Sequence, residues 1–173
     1  MSVVSDVREH LKDLMEGAVS GVPRAIPSGR FIHDESDDEG AAPGTESAPY
    51  PFGIYDGGAF EPFNVRSTLS GSHAYRGKRL IVRVGYSPDI AAREERSKTI
   101  STDEAAILKC LRHQRSWDAV SVDNGGEGVT DASVESSSFD LVEVETPDAS
   151  QPPQRLVVLD VVLALTIRED HTS

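Results

Sequence analysis

Apolar and polar positions alternate most clearly near the end of the chain, from Arg155 to Glu169 (RLVVLDVVLALTIRE). The odd positions Val157, Leu159, Val161, Leu163, Leu165 and Ile167 are all apolar. The even set mixes Leu156, Val158 and Ala164 with Asp160, Thr166 and Arg168. A period of two puts the odd set on one face of a strand, buried throughout, with a mixed second face. Thirteen or so residues would span roughly 43 Å, about twice an ordinary strand.

A second alternating run covers Lys78 to Tyr86 (KRLIVRVGY), with Leu80, Val82, Val84 and Tyr86 on one side and Ile81, Arg83 and Gly85 on the other. Phe31-Ile32-His33 reads as a short strand. Tyr50 to Phe63 holds five of the chain's nine Phe and Tyr residues around Gly57-Gly58, which predicts two short strands or a packed loop. Trp117–Val122 predicts a further strand ended by Asn124-Gly125-Gly126. Val129–Ser138 reads as a hairpin loop or weak strand. Phe139–Glu145 (FDLVEVE) predicts a strand with a bulge between Leu141 and Val142. Pro147, Pro152 and Pro153 mark the turn that would make 139–145 and 155–168 an antiparallel hairpin.

Two segments carry a helical stripe. Val4, Val7, Leu11, Leu14, Met15 and Ala18 recur at three- and four-residue spacing. Ser2 or Ser5 can cap that helix, Asp6 suits its dipole, and Gly17, Gly21 and Pro23 stop it. Ser87–Thr99 reads as an irregular connector, after which Ser101-Thr102-Asp103-Glu104 matches a capping box. The second helix is then expected to run to about His113, burying Ala105, Leu108 and Leu111 with Ile107 and placing Cys110 beside them. These elements predict one α+β domain over 1–173, a mostly antiparallel sheet with two main helices on one face and a long C-terminal strand. An acidic loop or arm at 34–48 and a polar loop at 123–138 interrupt it.

Composition changes this picture in its charge. The net charge is −12, unevenly spread. Arg76–Arg115 holds ten Lys or Arg against five acids, whereas Ser116–Gln154 holds nine acids and no Lys or Arg. Opposite patches of this kind suit a head-to-tail contact between subunits, with Arg76, Lys78, Arg79 and Arg83 on the positive side and Asp140, Glu143 and Glu145 on the negative. The plainer account is solubility charge and a solvated acidic loop.

Candidate chemistry is sparse. Cys110 is the only cysteine, so no intramolecular disulfide is possible and a reducing compartment is expected. It could act as a nucleophile only beside a base such as His113; a small buried hydrophobe is the commoner state of such a residue. His10, His33, His73, His113 and His171 lack ligand spacing, and the acids of 34–40 lack the alternation of a calcium loop, so no metal is expected. Asp123–Gly128 is glycine-rich without a phosphate-loop lysine, and no nucleophile elbow or His-Glu-x-x-His occurs. The aromatic cluster of 50–63 lacks the basic groove of a base-stacking surface. Neither an enzyme nor a cofactor is expected. The N-terminus lacks a signal-like apolar core and Val161–Leu165 is too short to cross a membrane, so a soluble protein is expected.

The order of elements, with the local character of Arg79–Tyr86, STDEAAILKCLRH and Val157–Glu169, resembles the tail terminator and tail completion proteins of long-tailed bacteriophages and the related neck proteins. The resemblance implies a structural virion protein, assembled in the host cytoplasm into a ring, a hexamer in that family. The ring would close the head-proximal end of the tail tube. Its partners would be the major tail tube protein and head connector or neck proteins, and DNA would pass through without specific binding. A neck or head-completion adaptor of the same particle is the nearest alternative. The segments at 34–48 and 123–138 depart from the smaller members of that family. A different class of reading is a small acidic cytosolic domain that recruits a basic partner through 34–48.

Overall fold

The structure is a computed structural model, and it describes residues 2–25, 32–34, 52–62, 73–86, 93–122, 126–144, 150, 152 and 154–170. In chain order the elements are α1 (Val3–Glu16), β1 (Ile32–Asp34), β2 (Phe52–Phe60), β3 (His73–Tyr86), α2 (Arg93–Leu111), a 3-10 turn (Asp118–Val120), β4 (Gly128–Val144) and β5 (Gln154–Asp170). The five strands form one sheet in the order β1-β2-β3-β5-β4, antiparallel except where β1 meets β2. The fold is α+β, with both helices on one face.

The alternation of the C-terminal run sets this arrangement. β5 is 17 residues long and lies between β3 and β4. Every residue of β3 pairs with it in unbroken register, so that Leu80, Val82 and Val84 stand opposite Leu163, Val161 and Leu159. All six of these side chains are buried, together with Leu165 and Ile167. The helices cover this apolar face with Val7, Leu11, Leu14 and Met15 of α1 and Ile107 and Cys110 of α2. Burying each such side chain contributes roughly 1.5–3 kcal/mol.

The helix α1 follows the pattern of its sequence. Ser2 is its N-cap, its Oγ accepting from the Ser5 amide. Gly17 ends it at φ 74°, and the Ala18 amide reaches back to the Asp13 carbonyl. A side chain at that φ would be strained, and its Cβ would also meet Arg24.

Helix α2 differs from the reading of its sequence. It starts at Arg93, so Ser87–Thr99 is not wholly a connector and Ser101–Glu104 lies inside the helix. The residues of the apparent capping box do other work. Thr102 Oγ1 donates to the Lys98 carbonyl one turn back. The Asp103 carboxylate is buried and accepts the Tyr86 hydroxyl at 2.7 Å, and Glu104 accepts the Ser137 hydroxyl at 2.7 Å. These two acids fasten the helix to β3 and β4. The buried stripe is accordingly Ile100, Asp103, Ile107, Cys110 and Leu111, while Ala105 is exposed.

Three further expectations are corrected. Trp117–Val122 is not a strand: Asp118–Val120 is a 3-10 turn, the Trp117 indole before it donates to the Leu111 carbonyl at the end of α2, and Ser121 after it bridges Val129. The turn is closed by the Ser116 hydroxyl on the Cys110 carbonyl and by His10 Nε2, which donates to the Ser116 carbonyl at 2.6 Å. Of the two readings of Val129–Ser138 the strand is the one found, and only the polar loop is corrected: 128–138 is the first part of the 17-residue β4. Its register shifts fall at Thr130 and Glu135, and pairing from Ser136 to Val144 is regular, with no bulge at Leu141–Val142. Finally, 52–60 is a single strand bulged at Gly57-Gly58, where Gly58 takes φ 89° and a Cβ on Gly57 would lie 2.8 Å from that of Arg79. The 139–145 and 155–168 hairpin is present through Val144. The acidic segment lies outside the described residues from position 35 onward.

One-sided burial makes a direct prediction. Leu163→Ala should cost about 2–5 kcal/mol of stability in urea unfolding. Val162→Ala, its half-buried neighbour on the other face, should cost less than half as much. Equal losses would contradict the assignment of faces.

Candidate subunit interface

The four cations singled out in the sequence do not form one patch. Strand alternation in β3 sends Arg76 and Lys78 to the helix face, beyond the helices, and Arg79 and Arg83 to the opposite face. Each meets an acid of its own chain. Arg76 pairs with Glu169 at 2.6 Å, and Lys78 with Asp56. Arg83 holds its register partner Asp160 through two bonds of 2.7 and 2.8 Å, with its guanidinium 5.3 Å over the Tyr55 ring. Arg79 grips Glu135 at 2.6 and 3.0 Å and lies 4.9 Å over Phe60.

The bulge in β4 explains the Arg79 pair. Glu135 has no register partner on β5, and its side chain reaches over β5 to β3. Ala164, opposite both Arg79 and Ser133, leaves room above the strand between them. The hydrogen bonds to Asp160 and Glu135 raise Arg83 and Arg79 above the usual arginine range. The Arg79 bond lowers Glu135 below the ordinary glutamate range; Lys78 and then the Gly58 amide do the same for Asp56. These pairs are partly exposed, so each contributes little on its own.

Of the predicted negative side, Asp140 is exposed and accepts the Leu141 amide, Glu143 stands opposite Arg155 in the register, and Glu145 lies outside the described residues.

Among the described residues, two surfaces have no cover. The first is the outer edge of β4, the last strand of the sheet. Among the described residues only Ser121 and Val122 lie along it, at Val129. Its regular part carries Phe139 and Leu141 on the helix face, 68% and 53% exposed, opposite the buried Leu159 and half-buried Val157. The core face therefore runs out from under the helices there. A clue was present in SSSFDLVEV, where two apolar residues alternate with an acid after a run of serines. The second is a shallow open groove of about 550 Å³ at the end of α2, lined by Ala105, Leu108, Lys109, Arg112, His113 and Gln114.

Cys110 offers no nucleophile. It is buried, donates to the Leu14 carbonyl at 3.7 Å, and burial pushes its thiol up to about 11. His113 is turned to the Arg115 amide, which donates to its Nδ1 at 3.3 Å. Among the described residues no three His, Cys, Asp or Glu side chains converge as metal ligands, and no helix is long and apolar enough to cross a membrane.

Alkylation of Cys110 by iodoacetamide at neutral pH should be at least roughly a hundredfold slower than that of free cysteine, because the thiolate fraction falls tenfold per pH unit of upward shift. A rate equal to free cysteine would contradict its burial. Glu135, lowered in the folded chain, should stabilise the fold above its unfolded value of 4.5 and lose that contribution as pH falls through the folded value. The melting-temperature gap between the wild type and Glu135→Gln should therefore be present at about pH 6 and shrink as the pH is lowered past 4.5. A gap unchanged by acid would remove the ion pair from the account. No protein-family model matches this chain, and no curated protein matches it.

Proposed function

We propose that this protein is a structural assembly subunit, a tail terminator that forms a ring with copies of itself, closes the head-proximal end of a phage tail tube and joins it to the head connector. The observation that carries the assembly reading is the outer edge of β4, along which, among the described residues, only the segment ending at Val122 lies, beside Gly128 and Val129. A strand edge offers unpaired amides and carbonyls, and natural folds blunt such edges with bulges, charges or cover. The first half of β4 has both of its bulges, at Thr130 and Glu135, whereas Ser136–Val144 is regular and exposes Phe139 and Leu141. An edge left regular and apolar is one that an assembly uses.

The remaining features agree with a scaffold. Arg76, Lys78, Arg79, Arg83, Asp103 and Glu104 are occupied in tying strands and helices together. A net charge of −12 keeps DNA from adhering to a channel it must traverse. The same features suit a neck adaptor of the same particle, which differs in the partner it meets. No described feature favours the acidic recruiting domain, whose proposed contact segment lies almost wholly outside the described residues.

Mass photometry and sedimentation of the purified chain should show a symmetric oligomer, and the oligomer should bind purified tail tubes. A chain that stays monomeric at tens of micromolar and ignores tubes would contradict the proposal.

A further inference from the structure

Resting on the assembly reading, we infer that the contact between copies is head-to-tail: the Phe139–Leu141 edge of one copy docks into the groove at the end of α2 of the next. The two surfaces are complementary in kind. Ala105 and Leu108 are the apolar part of the groove's lining, and Phe139 and Leu141, on the strand face opposite Asp140, are the most exposed large apolar side chains among the described residues. The large exposure of Phe139 means that its own chain's groove is not occupied by it.

Charge selects the pairing. Lys109 and Arg112 are exposed and have no ion-pair partner among the described residues, and Asp140 has none beyond the Leu141 amide. Ser116–Gln154, which contains all of β4, has no Lys or Arg. Pairing two β4 edges would set acid against acid, and pairing two grooves would set cation against cation. Edge against groove is the favourable combination, with the long stems of Lys109 and Arg112 reaching round the strand to Asp140. Because edge and groove are different places on one chain, the contact is heterologous; it closes into a ring or continues as a filament. Some of the positive charge also complements the C-terminal dipole of α2. That does not account for the exposed Ala105 in the same lining.

The test uses the full chain and two charge-reversed forms, Asp140→Lys and Lys109→Glu/Arg112→Glu. Each alone should weaken self-association by roughly tenfold or more in sedimentation, because every contact then sets like charges together. An equimolar mixture of the two should recover assembly, since lysine edge meets acidic groove and native edge meets native groove. Phe139→Ser/Leu141→Ser should also lose assembly, while matching the wild type's melting temperature at dilutions where the wild type is monomeric, because both side chains are exposed. If the wild type oligomerises and the reversed forms oligomerise equally well, or the mixture fails to recover, the edge-to-groove contact is wrong while the assembly reading stands. If the wild type itself stays monomeric, the assembly reading falls with it.

Discussion

The pairing of β3 with β5 is the constraint on which the rest depends. Fourteen residues of β3 run against β5 without a shift, and every second pair is apolar and buried in the central stretch from Leu80–Leu163 to Val84–Leu159. Because the side-chain period is two, a slip of one residue would carry that entire apolar set to solvent, which makes the register strongly specified. Both helices take their places from it. α1 supplies a continuous apolar stripe, and α2 is fixed by Asp103 on Tyr86 and Glu104 on Ser137 as well as by Ile107.

Much of this was legible in the sequence, and the failures share one cause. The alternation of 155–169 and 78–86 and the stripe of α1 report burial on one face, a property each segment carries locally. The apparent capping box at Ser101–Glu104 satisfied a local rule, but Asp103 and Glu104 bond to strands distant in sequence, so the helix continues back to Arg93. Residues 128–138 are polar because β4 is an edge strand with a wet face. Their strand conformation comes from backbone pairing with β5, which leaves no apolar signature. Trp117 resembled a strand residue and instead caps α2 with its indole.

The candidate site was legible in part. The charge segregation was correctly visible, but Arg76, Lys78, Arg79 and Arg83 were grouped without regard to alternation, which splits them between faces and gives each an acid of its own chain. Phe139 and Leu141 look like core residues until the reach of the helices is known; only the tertiary arrangement shows that cover ends before them. An extended sheet edge, an open depression partly lined by cations and a net charge of −12 are the features on which the proposed assembly role rests.

Amide hydrogen exchange followed across protein concentration tests the central claim most directly. If assembly uses the β4 edge, amides of 136–144 should exchange slowly at high concentration and quickly on dilution, while those of β5 stay protected at both. Exchange of 136–144 that is the same at every concentration, in a sample shown to be oligomeric when concentrated, would contradict a role for that edge.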